Sequence, residues 1–126
     1  MDMSNGGILK TEVVDGVVVI SFERGRFREE NEILVTLESL SQHIASKQNP
    51  RILLDMSTVE YLSSAGLGQL VGLLKKTKAN GGQFKLCSLQ DAISELFEVM
   101  RLHMIFEIHP AVEDALEAFR KEGAKV

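Results

Sequence analysis

Apolar residues follow two different periods along the chain, and the change of period separates predicted strands from predicted helices. Two strand-like runs, residues 8–14 and 17–22, flank Asp15-Gly16, a dipeptide typical of two-residue hairpin turns. Residues 52–54 are apolar without polar alternation, which is typical of a strand buried on both faces. Two further short strands are predicted over residues 84–87 and 104–108.

Four other segments place apolar residues at helical spacing and predict amphipathic helices. The first predicted helix covers about residues 33–46, and the second follows Ser63-Ser64. The third covers about residues 93–100. The fourth begins near Pro110, a residue that suits the first turn of a helix. Asn80-Gly81-Gly82 predicts a C-cap that ends the second helix. The apolar positions that define the four helix faces are Ile33, Leu37, Leu40, Ile44, Leu67, Leu70, Val71, Leu74, Ile93, Leu96, Phe97, Met100, Ala115, Leu116 and Phe119.

The predicted element order, β-β-α-β-α-β-α-β-α, indicates a single α/β domain. Strands that alternate with helices favour a mixed, mostly parallel sheet with right-handed crossovers. The hairpin strand at the N-terminus then forms an antiparallel edge, and about four helices cover the sheet. Residues 1–7 are polar and glycine-rich, so we expect them to be disordered and the domain to span residues 8–122.

Composition narrows the classes of function. The 126 residues are 44% hydrophobic and 25% charged, which is ordinary for one soluble domain. The net charge is −4 and no basic block is present, which argues against direct nucleic-acid binding. No apolar run approaches the roughly 20 residues of a membrane helix. A single cysteine, Cys87, and the lack of a secretory signal pattern together predict a cytoplasmic protein that does not contact a membrane.

The serine pair Ser63-Ser64 is the main candidate for chemistry, because it stands where a loop enters a helix. One interpretation is structural, since serine is among the best N-caps. The other is functional, since a hydroxyl at the positive end of a helix is well placed for a phosphate. Both hold together if Ser63 caps the helix and Ser64 is exposed. Gly66 and Gly68 each cost the helix up to about 1 kcal/mol relative to alanine, which the close approach of another chain or a phosphate would explain.

Other candidate chemistry is weaker. We favour a turn or Asx-cap role for Asp55 over a role in orienting a hydroxyl or a water. The three histidines (His43, His103 and His109) and Cys87 lack metal-ligand spacing, so neither a metal nor another cofactor is expected. There is no Gly-Lys-Ser/Thr of a P-loop and no Gly-x-Ser-x-Gly elbow, so an enzyme is the least favoured interpretation.

Residues 55–68, Asp-Met-Ser-Thr-Val-Glu-Tyr-Leu-Ser-Ser-Ala-Gly-Leu-Gly, resemble the phosphorylation motif of the STAS-domain anti-sigma factor antagonists. The resemblance continues through Asn80-Gly81-Gly82, the strand that follows, and residues 93–97. It implies that Ser64 is the phosphoacceptor, with Ser63 as second choice. Ser63 stands where aspartate is common in the family, and Ala65 where serine or threonine is common. Arg28 also replaces a common aspartate, and an arginine there pairs with a phosphate instead of repelling it.

This resemblance implies a switch protein rather than an enzyme. The unphosphorylated form binds an anti-sigma factor that is also a serine kinase of the GHKL type, and the sigma factor is released. Phosphorylation blocks binding, and a PP2C-type phosphatase restores it. The implied partner-binding residues are Asp55, Ser57, Tyr61, Ser63, Ser64, Ala65, Gly66, Gly68, Gln69 and Arg28.

Two alternative functions remain open at this point. The module binds a nucleotide or another small ligand at the same helix end, or it switches partners in a circuit whose target is not a sigma factor. The resemblance leads us to expect a monomer, although strand 8–14 has a free edge at which two chains can pair.

Overall fold

A computed structural model describes residues 9–22, 38, 40–42 and 48–124 of the chain. Five strands form one sheet in sequence order: β1 (Leu9–Val14), β2 (Val17–Phe22), β3 (Arg51–Asp55), β4 (Gln83–Cys87) and β5 (Glu107–His109). β1 runs antiparallel to β2, and the other neighbours pair in parallel. The predicted α/β class, with a hairpin strand at the edge of a mostly parallel sheet, is therefore confirmed.

Helices follow the parallel strands as the sequence predicts. They are α1 (Ser64–Ala79), α2 (Asp91–Val99) and α3 (Val112–Ala124), with a short 3₁₀ helix at Leu102–Met104. Within the helix predicted over 33–46, residues 38 and 40–42 are helical and Leu40 is fully buried. The other residues of that segment and residues 23–32 lie outside the described residues.

The N-terminal hairpin turns where the sequence predicts it. Asp15 and Gly16 both have positive φ, 53° and 80°. This is the backbone that a two-residue type I′ turn requires, and it favours glycine at the second position. The turn fixes the register Val14 opposite Val17, which continues along the whole pair of strands.

The sheet is buried on both faces at β3. Ile52 and Leu54 pack into a large cluster with Leu70 of α1 and Phe97 of α2. Leu53 points to the other face, into a smaller cluster with residues of α3: Ala115, Leu116 and Phe119. The apolar run without alternation is thus explained, because each successive side chain meets a covered face.

Three element boundaries differ from the sequence prediction. The strand predicted over 104–108 begins only at Glu107, because the preceding residues form the 3₁₀ helix and leave Met104 exposed. The third predicted helix ends at Val99, and Met100 is an exposed C-cap followed by Arg101 in the left-handed conformation. Pro110 precedes the last helix instead of lying in its first turn, since α3 begins at Val112.

The C-terminal end of α1 is closed by the predicted cap. The Gly82 N–H donates to Thr77 O at 2.9 Å and the Gly81 N–H to Lys78 O at 3.0 Å, with Gly81 at φ 77°. This is a Schellman motif, in which glycine takes the left-handed position. The Asn49 N–H donates to the cap at Asn80 O (2.8 Å), and the Gln83 N–H donates to Pro50 O (2.8 Å). The chain entering β3 and the chain entering β4 are therefore tied together.

Candidate functional site

The loop between β3 and α1 begins with a side-chain turn at the carboxyl end of the central strand. Asp55 Oδ1 accepts a hydrogen bond from the Ser57 N–H at 3.0 Å. The Met56 N–H donates to Cys87 O of β4 at 2.9 Å, and Met56 is buried. Asp55 thus has the Asx-turn role that the sequence favours, and its carboxylate shapes the start of the loop.

Buried residues and two polar side chains hold the rest of the loop in place. Val59 and Leu62 lie in the core. Thr58 Oγ1 donates to Phe22 O at 2.7 Å, and Gln90 Nε2 donates to Ser57 O at 2.8 Å. Neither contact is predicted by the sequence, because an isolated threonine or glutamine in a loop produces no periodic signal.

Tyr61, which the resemblance implies is a partner-binding residue, is 66% exposed. Its neighbours Val59 and Leu62 take the buried positions of this segment. An exposed tyrosine beside the start of α1 is suited to contact a partner, since aromatic residues are enriched at protein interfaces.

The two serines have different environments. Ser63 is the N-cap of α1, and its Oγ accepts a hydrogen bond from the Gly66 N–H at 3.0 Å. Ser64 is the first residue of the helix and is exposed. Ser63 therefore serves the fold, whereas the Ser64 hydroxyl is accessible at the positive helix end. The structural interpretation is confirmed for Ser63, and the functional interpretation of Ser64 stays a prediction.

The glycines of the first turns also separate into two kinds. Gly66 is buried, and a Cβ there would lie 3.3 Å from Leu62 Cδ2 and 3.5 Å from Ser63 Oγ. Internal packing accounts for Gly66, so an approaching partner is not needed to explain it. Gly68 is exposed, and a Cβ there would meet nothing within 4 Å.

The exposed residues around the start of α1 form one surface, which we call the serine face: Tyr61, Ser64, Ala65 and Gly68. Gln69 is half-buried at its edge, and Ser57 is exposed in the preceding loop. Gly66 is not part of it because it is buried. Arg28 lies outside the described residues, so its pairing with a phosphate stays a prediction.

The first turn of α1 carries no acidic side chain, while Lys76 and Lys78 lie in its last turn. The partial positive charge of the helix start is therefore not neutralised by a carboxylate of that turn. No group of three or more His, Cys, Asp or Glu that could hold a metal ion occurs in the part of the chain that the structure describes. Over the same residues, no helix has the length and apolar character needed to cross a membrane.

Cys87 lies opposite Asp55 in the sheet and is fully buried. The pKa of its thiol is raised to about 11, chiefly by burial; a hydrogen bond with Ser88 lowers it, and the charges of Asp55 and Glu113 contribute smaller increases. Because the thiolate is the reactive form, we expect native protein at pH 8 not to react with a disulfide reagent such as DTNB. Protein unfolded in guanidinium chloride should release one equivalent of chromophore. Fast stoichiometric reaction of the native protein would contradict this placement.

Comparisons with known proteins agree with this fold. BtrV, a proposed anti-sigma factor antagonist of Bordetella bronchiseptica, is 28% identical over 112 residues, which cover 89% of this chain and 94% of that protein. A solved anti-sigma-factor antagonist (STAS) domain protein from Planctomyces limnophilus superposes with a TM-score of 0.78 at 26% identity, covering 87% of this chain and 96% of that one.

A third comparison is SpoIIAA, a Bacillus cell fate determinant solved in its phosphorylated form. It has a TM-score of 0.66 at 18% identity and covers 88% of this chain and 98% of that one, a likeness that shows a shared fold. The model of the STAS domain family matches residues 10–115, which is most of the chain. With its fold, its 55–68 motif and relatives named as anti-sigma factor antagonists all in agreement, the chain belongs to the STAS domain family.

Proposed function

We propose that this protein is a cytoplasmic anti-sigma factor antagonist that acts as a partner switch controlled by phosphorylation of Ser64. Unphosphorylated, it docks the serine face onto an anti-sigma factor that is also a GHKL-type serine kinase, and the sigma factor is released. A PP2C-type phosphatase restores the docking form. We also propose that the switching domain spans residues 8–122, with residues 1–7 outside it.

One observation carries the choice of Ser64. Its side chain is exposed at the first helical position, whereas the hydroxyl of Ser63 already accepts the Gly66 N–H. To reach the phosphate of ATP in a kinase, the Ser63 hydroxyl would first have to leave this hydrogen bond, and loss of an N-cap costs about 1 kcal/mol. Modification of Ser64 leaves that hydrogen bond in place. The phosphorylated form of SpoIIAA supports a phosphorylated state for this fold.

The residues around Ser64 explain why a phosphate would act as a switch. All residues of the serine face are uncharged, and all except Tyr61 are small. A partner that fits closely over them excludes water. A phosphate adds about −1.5 to −2 charge there, which brings a large desolvation cost to an interface built for a neutral hydroxyl. The complex would dissociate without any change of fold.

The switch predicts opposite behaviour for two substitutions at one position. Ser64→Ala should bind the kinase partner as tightly as the unphosphorylated protein and should not be released by ATP. Ser64→Asp should bind on the order of 100-fold more weakly, since it places a charge in the interface. Isothermal titration against the purified partner measures both. Equal affinities for the two variants would contradict the switch.

The open surface at Gly68 gives a second prediction with a matched control. Gly68→Ala and Gly72→Ala lie one helical turn apart, and a Cβ at either position would meet nothing within 4 Å. Each should raise the free energy of unfolding by about 0.5–1 kcal/mol, because alanine favours the helix. Replacement by leucine should distinguish the two positions by their effect on partner binding. Gly68→Leu should block binding, whereas Gly72→Leu should weaken it far less. Comparable loss at both positions would place the docking surface elsewhere.

A second candidate function rests on the helix start itself. Its first turn carries no carboxylate, so it also favours the phosphate of a bound nucleotide. In that case a nucleotide should raise the melting temperature of the purified protein with no kinase present. Absence of such a shift, together with partner binding, would favour the switch. If the partner proves not to regulate a sigma factor, the switch mechanism would stand and only the regulated target would differ.

A further inference from the structure

A cavity lies at the opposite end of the sheet from Ser64. It is a cavity of about 430 Å³ at the amino ends of β4 and β5, where Gln83 and Glu107 begin their strands. Its volume falls within the roughly 300–1,000 Å³ typical of small-ligand pockets. None of its lining residues belongs to the serine face.

A buried ammonium group forms the inner wall of this cavity. Lys85 is 2% exposed, and its Nζ lies 2.8 Å from Glu107 Oε1, 2.8 Å from Glu122 Oε2 and 4.7 Å from the centre of the Phe119 ring. The ammonium group thus forms ion pairs with two carboxylates and a cation–π contact with an aromatic ring. Lys85 and the two carboxylates together carry a net charge of −1, and the exposed Lys78 brings the formal charge of the whole lining to zero.

Two oxygen atoms in the same wall lack partners. Gln83 Oε1 and Glu122 Oε1 are buried, and neither has a hydrogen-bond partner among the residues that the structure describes. Buried polar groups are nearly always hydrogen-bonded, so each unpaired acceptor destabilises the free protein. Gln83 and Glu122 both line the cavity, and these two oxygen atoms, which have almost no accessible surface themselves, can only accept. The group that would satisfy them must be a donor.

We propose that this cavity binds a small organic cation, a guanidinium or primary ammonium group on a short apolar stem. Its N–H groups would donate to Glu122 and Gln83, whose terminal torsions are broad enough to turn the oxygens toward it. The stem would pack against Met104 and Ile105, exposed apolar residues at the rim. Lys78, also on the lining, is exposed and free to extend into solvent. The site is independent of phosphorylation at Ser64.

The first arm of the test is a titration of the full chain with n-butylguanidinium, followed by ¹H–¹⁵N NMR. The amides of Gln83, Met104 and Glu122 should shift saturably, with a dissociation constant on the order of 1 mM for a ligand of this size. The amides of Ser64 and Gly68 should not move. Sodium butyrate, an anion of similar length, should cause no saturable shift. No saturation with the cation, or an equal response to butyrate, overturns the proposal.

Substitutions at Gln83 form the second arm, because they leave the Lys85 ion pairs untouched. Gln83→Met removes one unpaired oxygen while keeping a side chain of similar size, so it should raise the melting temperature of the free protein. It should also weaken the binding of n-butylguanidinium at least 10-fold. Gln83→Glu adds a carboxylate and should tighten binding. Gln42→Met, at an exposed position outside the cavity, is the matched control and should change neither property. Unchanged affinity in both Gln83 variants overturns the proposal.

Discussion

Gly82→Ala is expected to lower the free energy of unfolding by about 3 kcal/mol, the upper range for forced overpacking of a rigid site. A Cβ at this position would clash with the backbone oxygen of Pro50 and would lie 2.6 Å from Pro50 Cδ. The clash is with backbone and a proline ring, neither of which can rotate away.

The surroundings of Pro50 fix it in place. Its carbonyl accepts the Gln83 N–H, and Asn49 donates to the cap of α1 at Asn80. Moving Pro50 aside would break the junction that starts both β3 and β4. Urea unfolding measures the effect, with Gly72→Ala as the control that should stabilise instead. A loss for Gly82→Ala of less than about 1 kcal/mol, within the range of ordinary substitutions, would mean that this junction is not rigid.

Lys85→Met should destabilise the protein by about 3 kcal/mol, at the low end of what breaking a buried ion pair costs. The low end applies because Glu107 and Glu122 are 45% and 32% exposed, so water partly screens the carboxylates left behind. The methionine also loses the cation that lies over Phe119. Lys78→Met, an exposed lysine on the lining of the same cavity, should change stability by no more than about 0.5 kcal/mol.

A combined variant tests the cause of that loss. If the two unpaired carboxylates are responsible, adding Glu107→Gln and Glu122→Gln to Lys85→Met should recover part of the stability. If the combined variant is as unstable as Lys85→Met alone, packing rather than charge explains the effect.

The same cluster predicts how stability depends on acid. Burial alone would raise the pKa of Glu107, but hydrogen bonds and charges from Lys85 and His109 lower it below its ordinary value of 4.5. A lowered folded-state pKa gives stability that is present above the unfolded value and is lost as the pH falls through the folded one. The wild type should therefore lose stability below about pH 4.5 more steeply than Glu107→Gln. Parallel pH profiles for the two would contradict this.

Local patterns predict the elements that local physics determines. The Asp15-Gly16 turn and the Asn80-Gly81-Gly82 cap are confirmed, because each depends on backbone preferences within a few residues. The apolar run of β3 is also confirmed, because the lack of polar alternation by itself indicates a strand covered on both faces. The serine pair is of the same kind. A hydroxyl before an apolar helical period predicts an N-cap, and Ser63 is that cap.

Long-range contacts explain what the sequence does not predict. Lys85 lies in a strand that reads as apolar core, and one of its partners, Glu122, is 37 residues further along the chain. No periodicity links the two. Tyr61 and Val59 alternate with polar residues in the same loop, so their order alone cannot decide which is exposed. The strand predicted over 104–108 begins only at Glu107, because the chain before it forms a 3₁₀ helix at Leu102–Met104.

Phosphopeptide mass spectrometry on protein purified from its native cells tests the central claim most directly. Trypsin cleavage after Arg51 and Lys75 yields residues 52–75, which contain both serines of the pair. Fragmentation assigns the modified residue. The switch proposed above predicts phosphate on Ser64 under at least one growth condition. Phosphate confined to Ser63, or none on this peptide under any condition, would contradict it.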